Sequence, residues 1–557
     1  MIRKLSLAAS ATLVLLAGCG GSGDIEINPS TVDNSVNNSN NTTTGGGTGG
    51  GGTTNPCASY VTDAGQTRQG TYDGTDCTYA PSFADSGNNI TVDLTFTDLP
   101  NNGAHLFEGS LFIGESFDST ADMNAAGIFE GGDGPTLFIE AGATLAWQSS
   151  LDFLVINRGS QIFAVGRSDA PITLTSFSDV NGDLANDPEA VQQWGGVVID
   201  GFGVTNRCEY TGNRGEAGFA VVGECDVPSE GSAGQDENFY GGDNDDDSSG
   251  RLEFVVVKHT GAEVGSGDEL NGISFSGVGR GTIVENVQVY STFDDGFEWF
   301  GGAVDGRNLV AVYARDDSLD IDEGYIGTID TALVIQQEED GNHCIESDGI
   351  GSYDDRAAAV RADFVARGLN SAPTIRNLTC IVSPNAAATA THDRGAGWRL
   401  REGIEPVIED ALVISSFGVD SADDNYCLRV EDTETLEAFD SGEAEITPGV
   451  FACVDQINGG PTPGGTALDD LPGTVFADLT GTTDPTATAD TSLVLLEGTP
   501  PIFSVDFATS VVNDATPPGT PIDGAFVGAL SQGATNPFAD WTFGIFDGNR
   551  SQPLWFE

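Results

Sequence analysis

Between residues 286 and 348 the hydrophobic pattern repeats with a period of 22 residues. Asn286-Val287-Gln288-Val289-Tyr290 returns as Asn308-Leu309-Val310-Ala311-Val312, and Asp294-Asp295-Gly296-Phe297-Glu298-Trp299 returns as Asp316-Asp317-Ser318-Leu319-Asp320-Ile321. A third copy opens at Asp330-Thr331-Ala332-Leu333-Val334 and, after one inserted residue, delivers Cys344-Ile345-Glu346-Ser347. Each apolar run is four to six residues long, alternates in and out, and is bounded by Gly, Asp or Asn, which predicts half-buried strands. Units of this length cannot bury their own apolar face and must stack on neighbours. Rungs of about 22 residues carrying about three short strands each wind naturally into a parallel β-helix, so the predicted fold class is an all-β solenoid.

Setting the second strand of each copy in register gives inward pairs Ile273/Phe275, Phe297/Trp299, Leu319/Ile321, Ile345/Ser347, Trp398/Leu400 and Leu428/Val430. The outward column between them reads Ser274, Glu298, Asp320, Glu346, Arg399, Arg429, and the next reads Ser276, Phe300, Asp322, Asp348, Arg401, Glu431. Rungs stack ~4.8 Å apart. The face is therefore expected to carry a solvated ladder, acidic for three rungs and then largely basic.

The repeats resemble the right-handed parallel β-helix superfold of pectate lyases and their many non-catalytic relatives. More closely, the chain is similar to bacterial surface proteins in which a Trp-Gly-Gly-Val strand, an Asp-Asp-Gly-Phe-Glu-Trp-Phe-Gly-Gly rung and a Gly-Trp-Arg-Leu-Arg-Glu-Gly rung recur, here at 194–197, 294–302 and 397–403. The resemblance implies architecture and little chemistry.

The N-terminus has a short basic start (Arg3, Lys4), an apolar run too short to span a bilayer, and then Leu16-Ala17-Gly18-Cys19. This ending is similar to a bacterial lipoprotein box. In that family the cysteine becomes the acylated N-terminus, and three acyl chains meet the requirement for more than one lipid signal in stable anchoring. By the same resemblance, Gly20 in place of Asp points to the outer membrane, so the expected location is lipid-anchored there, at the cell surface. Residues 20–56 form a Gly, Ser, Thr and Asn tether with a root-mean-square reach of roughly 30 to 35 Å.

Beyond the tether, a disulfide-closed cap is expected over 57–89 and the β-helix over 90–435, interrupted by a surface insertion at 201–250. An irregular region follows over 436–557, whose aromatic segments are expected to cover the last open rung. Glycines 142, 159 and 166 are expected to supply positive φ at the early corners. Eight cysteines remain after Cys19, an even number in an exported chain. Nearest-neighbour pairing gives Cys57 with Cys77, Cys208 with Cys225, Cys344 with Cys380 and Cys427 with Cys453, one of 105 connectivities. The third conflicts with the register, which turns Cys344 outward and Cys380 inward.

Charge narrows the function. Eighty-five acidic residues face 21 basic ones, a formal charge of −64 that falls to −66 once Arg3 and Lys4 leave with a signal peptide. Such a field opposes nucleic acid and anionic membrane surfaces, and it suits either a salty medium or a cation-binding protein. Calcium prefers oxygen-rich clusters, and Asp294, Asp316, Glu298, Asp320 and Asp322 gather on one face. A second calcium candidate is Asp179, Asn181, Asp183 and Asp187, spaced like the start of an EF-hand loop but lacking its central glycine and final bidentate acid. Glu346, Arg399, Arg401 and Arg429 are the candidate ligand-binding groups, since planar guanidinium donors suit carboxylates and sulfates. The four histidines are scattered and form no catalytic pattern. The expected function is a calcium-stabilised surface binding or adhesion module for a glycan or an outer-membrane protein. The alternatives are a calcium-dependent polysaccharide lyase or glycosidase, and a structural surface-layer component.

Overall fold

The structure, a computed structural model, describes residues 55–62, 64–232, 237–265, 268–383, 395–415, 426–453, 457–478, 491–492, 502–506, 511–512, 520–521, 526–531, 533–546 and 553–556. Cys19 and positions 20–54 of the tether fall outside the described residues. Residues 55–557 form one compact unit.

Ten short strands stack into one parallel sheet: Leu111–Ile113, Leu154–Ile156, Val197–Asp200, Ile273–Ser276, Phe297–Phe300, Leu319–Asp322, His343–Asp348, Ala396–Arg401, Leu428–Val430 and Ile457–Asn458. Phe297 lies opposite Leu319, Leu319 opposite Ile345, Ile345 opposite Trp398 and Trp398 opposite Leu428. This is the register read from the alternation, and all twelve inward residues of its six rungs are buried. A one-residue slip would turn every inward side chain out. At about 1.5 to 3 kcal/mol per large apolar side chain, the core alone fixes the register.

The other two faces come from long strands that bend, three of them with a second residue of positive φ near the C-terminal end, His259, Ser291 and Tyr313. Gly250–Thr260, Ile283–Thr292, Asp305–Ala314, Thr328–Ile335 and Thr374–Val382 pair in parallel, and each bends at a residue of positive φ: Phe254, Asn286, Asn308, Thr331 and Asn377. Asp410 does the same between Val407–Glu409 and Ala411–Ser415. Asn and Asp tolerate this region better than other side-chain-bearing residues, and the Asn308 amide donates to Asn286 Oδ1 at 2.9 Å. The early corners do use glycine at 142 and 159, but Gly166 has no positive φ, and in the body side-chain-bearing residues take over the role, four of these six being Asn or Asp.

The long strands are apolar outside as well as inside. Val256, Tyr290, Val310, Val312, Leu333, Ile381 and Leu412 point away from the main core and pack against Phe503, Val505, Val527, Phe538, Trp541 and Ile545. The described residues of the C-terminal segment from 502 onward therefore pack along a flank. A sheet with both faces apolar must be covered. Toward the N-terminal side of the coil, Tyr79 packs on Phe83, Phe96 and Phe107, and Phe107 stacks on Trp147, which stacks on Trp194 at 4.3 Å between centroids.

Two further expectations change. All four disulfides follow nearest-neighbour pairing, including Cys344–Cys380. Cys344 is the second residue of the strand His343–Asp348, and its side chain lies in the core with that of Ile345. The insertion at 201–250 is a cover held to the coil. Arg158 donates to the carbonyls of Cys225 and Gly241 at 2.8 and 2.7 Å, and Arg214 donates to the carbonyl of Gly302 at 3.1 Å and to that of Gly324. From the coil side, buried Glu323 accepts the hydroxyls of Tyr240 and Thr205.

Candidate metal centre on the covered acidic face

Parallel pairing brings the outward column together as read: Ser274, Glu298, Asp320, Glu346, Arg399 and Arg429 follow one another across the sheet. The doublets Asp294-Asp295 and Asp316-Asp317 precede their strands by the same interval, so they stack one rung apart. Ligand oxygens of Asp294, Asp295 and Asp316 fall within 4.8 Å of one another, and so do those of Asp295, Glu298 and Asp320.

The strip is not solvated. Asp294, Asp295, Glu298 and Asp317 are 6, 8, 5 and 3% exposed. Asn271 links the strip to the insertion: its amide donates to Glu298, to Ser274 Oγ at 3.1 Å and to Glu230 Oε2 at 3.3 Å. The Asp317 amide donates to Asp295 Oδ1 at 2.8 Å. Burial, and then the charge of neighbouring carboxylates, pushes Asp294, Asp295, Glu298, Asp320 and Asp322 well above the usual carboxylate range. Burial raises Glu230 to about 7. Asp320 Oδ1 is buried without a hydrogen-bond partner.

These features fit calcium, which takes six to eight oxygens in a flexible shell. The donor set is oxygen only, its members repel one another, and one inward-held oxygen is unsatisfied. Asp294, Asp295, Asp316, Glu298 and Asp320 would hold the ion. Of these, Asp295 belongs to both groups of three, which its place in the doublet with Asp294 allows. Asp322 lies further along, where Glu323 and Asp348 repel it.

The other candidates are placed elsewhere. Asp179 lies in the short helix Phe177–Val180, 2.6 Å from Lys258 Nζ, and Ser176 caps that helix by accepting the Asp179 amide. Burial alone would raise its pKa, but His259 and Lys258 hold it well below the usual range. Asp183 begins a 3-10 turn that ends at Asn186, with Asn181 and Asp187 flanking. The loop is not among the three places where described residues gather three or more ligand atoms within 4.8 Å.

The arginines are occupied too. Arg399 pairs with Glu346 at 2.8 Å and with Glu431 at 2.7 Å, Arg401 with Asp348 and with Glu346 at 3.3 Å, and Arg429 with Glu431. Burial works against the charge on Arg401, but Asp348 and Glu346 outweigh it and hold its pKa above the usual range. The basic end of the ladder thus neutralises its own acids.

Histidine 343 was passed over as one of four scattered histidines. It sits between the two ends, with Nδ1 2.8 Å from Asp317 and Nε2 2.9 Å from the Tyr426 hydroxyl. Its partners lie 26 and 83 residues away in sequence, so only the coil reveals them.

Stacked rungs around an aromatic and aliphatic core, with a carboxylate ladder on one face, define a parallel β-helix. The sequence profile of the pectate-lyase like beta helix domain matches residues 116–468, and the chain belongs to that family. Among solved structures, the crystal structure of the Dettilon tailspike protein matches with 11% identity over 80% of this chain and 79% of that one, at a TM-score of 0.27. No curated protein matches.

Proposed function

We propose that the chain is a calcium-stabilised binding module, carried on the outer membrane by acylated Cys19 and presented at the cell surface to a glycan or a neighbouring outer-membrane protein. The observation that carries this reading is the cover over the acidic strip. A calcium-dependent lyase brings its carboxylate-bound ion against the polysaccharide. Here Asn271 and Glu230 stand over Glu298, so an ion in the strip would tie the insertion to the coil. The arginines that could serve as base or as substrate donor are held by Glu346, Asp348 and Glu431. Calcium then acts as a fastening, and the outer surface of the fastened insertion is what meets the partner.

Calorimetry on chelator-treated protein is expected to give a calcium heat, with a rise in Tm that follows mass action. Both should be absent with magnesium, which dehydrates reluctantly and demands a tighter octahedral site. Asp294→Asn together with Asp320→Asn should abolish the heat. A panel of surface polysaccharides incubated with the calcium-loaded protein is expected to yield retention on a glycan array and no unsaturated or reducing-end product. Release of such fragments would establish the enzyme reading in its place.

A further inference from the structure

We infer that Asp317, His343 and Glu346 form a second metal site, selective for a borderline transition ion such as zinc and separate from the oxygen-only strip. The three side chains come from two adjacent rungs. Their ligand atoms lie within 4.8 Å of one another, and their side chains are 4, 5 and 14% exposed. The imidazole makes the difference in chemistry. Calcium and magnesium take oxygen, whereas imidazole nitrogen with carboxylates suits zinc and its neighbours.

The distances fit a small ion. His343 Nδ1 is 2.8 Å from Asp317 Oδ1 and 3.9 Å from Glu346 Oε1. Zinc bonds of about 2.0 to 2.2 Å in a tetrahedron set ligand atoms roughly 3.3 to 3.5 Å apart, and the two separations bracket that value. A slight swing of the ring would therefore seat the ion, leaving a fourth position for water.

An observation outside the three ligands supports the same assignment. A metal-bound histidine commonly donates its other ring N–H to a fixed acceptor, which sets tautomer and orientation. His343 Nε2 meets the Tyr426 hydroxyl at 2.9 Å, so with Nδ1 turned to a metal the ring proton can sit on Nε2 against that hydroxyl. Tyr426 is itself buried. Arg399 and Arg401 both contact Glu346 Oε1 and offset the charge of the carboxylate pair while no ion is present.

The test uses chelator-treated full-length protein with excess calcium, so that the strip is saturated and the two sites are read separately. Cobalt(II) serves as the spectroscopic stand-in for zinc. One equivalent is expected to develop the strong visible absorption of a four- or five-coordinate ion and to be displaced by zinc. His343→Gln should abolish the band while leaving the calcium heat in place, and Tyr426→Phe should weaken cobalt binding about 10- to 100-fold. Asp294→Asn should leave the band intact. Zinc-edge X-ray absorption on the unaltered protein checks the ligand set without any variant and should contain one imidazole. An oxygen-only shell, or a cobalt band that survives His343→Gln, would overturn the assignment, and neither result bears on calcium in the strip.

Discussion

Trp398 and Glu298 illustrate how far position along one strand decides the effect of a substitution. Trp398 is fully buried between Ile345 and Leu428, and Trp398→Ala is expected to cost about 3 to 5 kcal/mol in urea denaturation. Glu298 is buried too, but among carboxylates that repel it. Glu298→Gln in the presence of chelator should therefore leave stability unchanged or raise it, and equal losses in the two variants would contradict the register. Asp200 gives a pH dependence. It is buried, accepts Ser229 Oγ at 2.5 Å and Asn238 Nδ2 at 2.7 Å, and burial raises it to about 7. A carboxyl whose pKa is higher folded than unfolded favours folding most while protonated. Stability should therefore decline as pH rises from about 4, its ordinary pKa, to about 7. Melting of the chelated protein across that range should show the decline, and Asp200→Asn should lessen it, the raised carboxylates of the strip supplying the rest. Alternation made the inward residues and the Glu298, Asp320, Glu346 column legible in the sequence. It could not show burial of the outward column, because what covers Glu298 comes from residues 230 and 271, outside the repeat. Nor could it find His343, whose partners meet it only through stacking.

Among the elements, the bent strands hold the cross-section together. Each has a residue of positive φ at the same rung position in mid-strand, and Asn286 and Asn308 occupy it while linking their amides. Asn308→Ala forces a Cβ without a compensating side-chain bond into the left-handed region, at about 1 to 2 kcal/mol, and loses a hydrogen bond worth about 1 more. Asn308→Gly, which keeps the backbone freedom and loses the amide, is expected to fall between Ala and the unaltered protein in thermal melting. Ala and Gly variants of equal stability would mean that φ is not the cause. The 22-residue spacing made these strands legible, but two features of them were not read. The runs at Val255-Val256-Val257 and Leu309-Val310-Ala311-Val312 are continuously apolar, a mark of burial on both faces, and alternation was imposed on them. In the short strand His343–Asp348, alternation turned Cys344 outward, whereas it is buried in the core and bonded to Cys380.

At the scale of the whole molecule, the C-terminal segment touches rungs far apart along the coil. Phe543 packs edge-on against Tyr290 and its carbonyl accepts from Gln288, Trp541 meets Phe254, the carbonyl of Phe503 accepts from Thr379, and the indole of Trp555 donates to the Gln336 carbonyl. Ending the chain after residue 500 would uncover Val310, Leu333, Ile381 and Leu412 together, so the shortened protein should expose apolar surface to a hydrophobic dye and unfold in more than one step. A single, equally steep transition would deny the segment this role. A stack of rungs is a linear polymer in which each unit feels only its neighbours, and it ordinarily frays from whichever end is weaker. A belt buckled to rungs near Phe254 and again near Ile381 changes that arithmetic, since no coil between the buckles can open without slackening the belt for all the others. The molecule is then an array in its sequence and a single cooperative body in its melting.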